Sequence, residues 1–236
     1  ADSNTSTLNL IGLDSSTRAH NFDFASGNMH NITTSRGAGS GTHIDKLAAN
    51  CTITGNLTVG ANSKFSSGTR VFTVNGDVSV TGELDCDDSD KPMTFGSLTI
   101  ASGGTYLATS GTTTITDAYS SPFALNNSGT FTHNNGTLLL NRAGGNQDFV
   151  GTWDGSSALY NLTIDGNGGT KKFRQNMLIE GDLDVTASDT FTSQANTETL
   201  TVNGDVEVSG TLGATTQTGA YSFGGIRINS GGTYNA

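Results

Sequence analysis

Proline is nearly absent from this 236-residue chain, which holds 2, and cysteine is as scarce, also with 2. Cys51 and Cys86 offer neither a metal-binding spacing nor a disulfide framework, so two isolated thiols are expected. Aromatic residues are 7% of the chain and apolar ones 33%. Leu, Ile, Val and Phe total 49, close to the level of about one-fifth below which chains tend to stay disordered. A thick globular core is excluded. No apolar run approaches the ~20 residues of a membrane-crossing helix, so no membrane span is predicted. The 11 basic residues face 21 acidic ones, for a net charge of −10. They form one cluster, Lys171, Lys172 and Arg174, which is too little for the basic stripe that nucleic acid requires. Neither an initiator Met nor a signal peptide opens the chain, which reads as a mature or trimmed product.

What is abundant is Ser plus Thr, at 62 residues, and Gly, at 32. Thr, Val, Gly and Asn outnumber the good helix formers, which predicts an all-β chain with many turns. The sequence is also a tandem repeat. Thr73 to Ala108 aligns without a gap onto Thr201 to Ala236, at an offset of 128, with 18 of 36 positions identical. GNLTVGANSKF from Gly55 matches GDLDVTASDTF from Gly181, and HNIT from His30 matches YNLT from Tyr160. Residues 1–136 read as a first unit and 137–236 as a second, incomplete one. Because the second copy stops inside the unit, the native polypeptide is expected to continue.

A shorter period lies within the unit. Short strands that start near Ile32, Leu57, Val78 and Leu98 are 25, 21 and 20 residues apart. Those at Leu162, Leu183, Val206 and Ile226 are 21, 23 and 20 apart. A rung of about 21 residues, three short strands joined by bends, is the size of one coil of a parallel β-helix. In FTVNGDVSVTGEL, Phe72, Val74, Val78, Val80 and Leu84 take one face, the pattern of a half-buried strand. Asn75-Gly76 alone would suggest a hairpin. Asn31, Asn56, Asp77, Asn161, Asp182 and Asp205 precede the first inward residue of successive strands. Stacked, they would form a polar ladder. The expected fold is a right-handed parallel β-helix, with a β-sandwich or jelly-roll array as the alternative.

Candidate sites are sparse. Asp85, Asp87, Asp88 and Asp90 cluster oxygen ligands of the kind that suit Ca²⁺. The loop lacks the glycine and distal Glu of an EF-hand, and the second copy reads GATTQT there, so a solvated loop is the simpler reading. Asp182 and Asp184 should lie one rung from Asp205 and Glu207, at the spacing of a retaining glycosidase pair. No supporting His, Tyr or Arg is placed near them, and like charges so close more simply hold a cation. His20, His30, His43 and His133 show no metal or catalytic-triad spacing and read as surface residues. Trp153, Tyr160 and Tyr119 are candidates for stacking on sugars, with core packing the equal alternative for Trp153. The Gly-rich DGNGG from Asp165 lacks the Lys-Ser/Thr of a phosphate loop.

The pieces GTFTHNNGTLLLN, FTVNGDVSVTG and GSLTIASGGTYLATSGTTTIT resemble the Gly/Asn/Thr-rich tandem repeats of predicted fibre and virion-surface proteins of environmental phages. Similar repeats occur in large secreted proteins of aquatic bacteria. The resemblance implies an extracellular role, on a virion or cell surface, as a non-enzymatic fibre component that assembles with copies of itself. A carbohydrate-binding adhesin that contacts surface glycans is the alternative, and a β-helix polysaccharide lyase or hydrolase the less favoured one.

Overall fold

The computed structural model describes residues 6–12, 18–22, 29–36, 41–116 and 123–235. Among them the only helical element is a single 3-10 turn, Gly155–Ser157. The rest of the regular structure is short strands in parallel register, wound as a β-solenoid whose turns are about 22 residues apart. Each turn presents three faces. Residues 72–74 lie on the first face, 77–80 on the second and Glu83–Asp85 on the third; the next turn repeats this with 93–95, 97–100 and Thr105–Leu107. Successive partners on the second face are Leu8, Ile32, Leu57, Val78, Leu98, Leu125 and Phe149, so these turns take 24, 25, 21, 20, 27 and 24 residues. The stack crosses residues 136 and 137 without a break, since Leu138 pairs with Thr113 on one side and Leu162 on the other.

The hairpin reading of Asn75-Gly76 fails. Phe72–Val80 is one strand that bends around a corner, with parallel partners on both halves. The ladder explains why. The Asn31 side-chain oxygen accepts from the Asn56 backbone N–H at 2.8 Å, and the Asn56 oxygen accepts from Asp77 N–H at 2.9 Å. In the second unit Asn161 accepts from Asp182 at 2.9 Å, and Asp182 from Asp205 at 2.8 Å. Each corner N–H, left unpaired by the bend, is thus satisfied from the turn before. The residues ahead of Asn56, Asp77, Asp182 and Asp205 are Gly55, Gly76, Gly181 and Gly204, and a Cβ on any of them would collide with the ladder oxygen of the preceding turn. Gly204→Ala is therefore expected to destabilise the fold by about 1–3 kcal/mol, the usual cost of overpacking. Chemical unfolding would measure it.

Inside, the thin core is an aromatic column. Phe65, Phe72, Phe95, Tyr106, Phe131 and Trp153 succeed one another with centroids 5.3, 6.0, 5.9, 5.8 and 5.5 Å apart. The column goes on through Phe149, Phe191, Phe173, Tyr221, Phe223 and Tyr234. Such edge-to-face and tilted pairs add to the area they bury.

The 128-residue repeat is out of phase with the coil. Following partners along the first face leads from Phe72 through Met93, Thr113, Leu138, Leu162 and Leu183 to Val206. Val206 is the sequence counterpart of Val78, which lies on the second face. One unit therefore equals six turns less one face, and identical sequence returns a third of a turn away.

Candidate functional site

A concavity of about 680 Å³ lies over the first face, between Asp182 and Arg227. Its floor is the ladder end and the outward row: Asp182, Asp184, Asp205, Glu207 and Arg227. Asp184 stands in register with Glu207, and Glu207 with Arg227, so the expected carboxylate pairing across one rung is present. Burial, then the charges of Glu207 and Asp165, push the Asp184 carboxyl above the ordinary carboxylate range. Asn229 Nδ2 donates to Glu207 at 2.7 Å. The outcome is an acidic ledge with one guanidinium at its edge.

The acidic loop disperses its charges onto lysines. Lys64 bridges Glu83 and the buried Asp85, Lys46 pairs with Asp88 at 3.5 Å, and Lys91 with Asp90 at 2.9 Å. Burial pushes the Asp85 carboxyl up, but hydrogen bonds from Asp87 and Lys64 and the Lys64 charge hold it below its ordinary value. Asp87, sharing a hydrogen bond with Asp85, is raised to about 6. Two members of the basic cluster are also occupied. Lys171 is fully buried against Asp189 at 2.8 Å, and Arg174 grips Asp148 at 2.6 and 2.8 Å. Lys171 also donates to the carbonyls of Gly168 and Arg142, while Asp189 accepts from Gly166 and Gly168 N–H, so the glycine-rich piece is a wrap around an ion pair.

Trp153 is 1% exposed, packs on Phe131 and Phe149, and donates its indole N–H to Val150 O at 2.9 Å. It is a core residue and cannot stack on a sugar. Tyr160 packs on His133, and Tyr119 lies outside the described residues. Both cysteines are free and buried, and burial pushes the Cys51 thiol up to about 11 and the Cys86 thiol to about 12, so both are inert.

The histidines do not all lie on the surface. His43 is 4% exposed, its ring against Gly12, where any Cβ would strike it. His43 Nε2 lies 3.0 Å from Asp45 Oδ1, and His20 Nδ1 lies 3.9 Å from the same oxygen. Asp45 has no exposure, and burial pushes its carboxyl up to about 7. The three side chains border a concavity of about 380 Å³ together with Asn9, Ile11 and Phe22. Motif spacing misses this group because it is built across turns: Arg18–Phe22 pairs with His43–Leu47, placing His20 beside Asp45. The signal available was the separation of 23 and 25 residues, one turn of the coil. Comparison of the chain with protein-family models, curated proteins and solved structures gives no match.

Proposed function

We propose that the chain is a non-catalytic structural segment of an extracellular or surface-exposed fibre, built by stacking turns of this coil. The supporting observation is a contrast between the two sequence copies. Met93–Ile100 is covered by the strands at 113–115 and 125–127, and Leu98 and Ile100 are fully buried. Its counterpart Tyr221–Ile228 is the outermost strand on its faces, and Ile226 and Ile228 are 44% and 49% exposed. The sequence at Tyr221–Ile228 thus matches one that, at Met93–Ile100, takes a parallel strand on each side. An open parallel edge carries unpaired N–H and C=O groups and recruits another strand. A further turn, of a longer chain or of a stacked second copy, would pair with it as the strands at 113–115 and 125–127 pair with Met93–Ile100, and stacking that does not close on itself propagates as a filament. Because the unit is out of phase, successive units along such a rod present the same surface on successive faces.

Light scattering over a concentration series tests this reading. End-to-end association is expected for the parent chain. It should be abolished by Ile226→Lys with Ile228→Lys, while the β circular dichroism is kept. No association by the parent, or association untouched by the double substitution, would remove the reading.

A further inference from the structure

Independently of any fibre role, we infer that His20, His43 and Asp45 form a divalent transition-metal site that clamps the first third-face strand to the second. Asp45 sits in an inward row whose next members are Phe65, Leu84, Tyr106 and Phe131. A carboxylate in an aromatic row is costly unless a charged group satisfies it. Neither Asp45 oxygen makes a hydrogen bond among the described residues, although both are fully buried. The three ligand atoms lie within 4.8 Å of one another, and they are the only His, Cys, Asp and Glu set of three so arranged among the described residues. Ligands of a tetrahedral zinc centre with bonds of about 2.0–2.1 Å stand roughly 3.3 Å apart, a spacing that the 3.0 and 3.9 Å contacts bracket. Two imidazoles and one carboxylate suit zinc, cobalt or nickel over calcium or magnesium, which take oxygen donors. The adjoining concavity leaves room for a water as a further ligand. The His20 ligand comes from one turn and the other two from the next, so the ion joins two successive turns.

The test is calorimetric titration of EDTA-treated protein with Zn²⁺, paralleled by visible absorption on adding Co²⁺. One ion per chain is expected, with a raised melting temperature and no comparable response to Ca²⁺ or Mg²⁺. His20 is half-exposed, so His20→Ala should fold. Affinity should fall roughly 100-fold or more in this variant, since outer-shell partners alone are worth about 10–100-fold. Asp45→Leu matches Leu84 in the same row; it should melt higher than the metal-free parent and lose the metal-induced shift. Absence of stoichiometric binding, or Zn²⁺ binding unchanged by His20→Ala, would overturn the site and leave His43 and Asp45 as an ion pair only.

Discussion

Replacing Asp189 by Ala is expected to cost about 3–5 kcal/mol, the loss seen when one member of a buried ion pair is removed. Lys171 and Asp189 are both fully buried, and the carboxylate also serves Gly166 N–H, Gly168 N–H and the Thr186 hydroxyl. Asp189→Ala strands an ammonium in the core beside two carbonyls and orphans two backbone donors, so the wrap at 165–169 opens with it. Asp189→Leu combined with Lys171→Met should recover most of the loss, because an apolar pair of similar size avoids desolvating two charges. Urea unfolding of the three proteins separates the terms. A single-variant loss below about 1 kcal/mol, the value of an exposed pair, would mean that water reaches the site.

The second large effect compares the two copies. Phe95 is fully buried between Phe72 and Tyr106, and Phe95→Ala should cost about 3–5 kcal/mol. Its counterpart Phe223 is only partly buried, between Tyr221 and Tyr234 on the outermost turn. Phe223→Ala should cost about 1–2 kcal/mol in the dissociated protein, since less area leaves water. The two losses should converge where copies have stacked, because the added turn covers Phe223. Equal losses in dilute solution would contradict the unequal burial of the two rings.

Much of the coil was legible because its period is written in the apolar residues. Leu57, Val78 and Leu98 recur at the spacing that the structure uses for a turn, and Asn56 and Asp77 mark the corners as ladder members. The phase was not legible. An alignment pairs Val78 with Val206 by identity, whereas the column each joins depends on how many corners intervene, and loops of varied length hide that number. The acidic ledge followed from in-register counting, so Asp184 beside Glu207 was within reach. The His20, His43 and Asp45 group was not, since these residues lie on the third-face strands, away from the Asn- and Asp-marked corners that reveal register. Trp153 reads equally as a packing or a binding residue in the sequence, because an aromatic in a thin core and one on a binding face have the same local sequence; its stacking on Phe131 and Phe149 decides for packing.

Electron microscopy of the concentrated protein tests the central claim most directly. Unbranched rods are predicted, one coil wide, with an axial layer spacing of about 4.8 Å from stacked strands. Dispersed single particles at every concentration, or aggregates without that axial spacing, would contradict it.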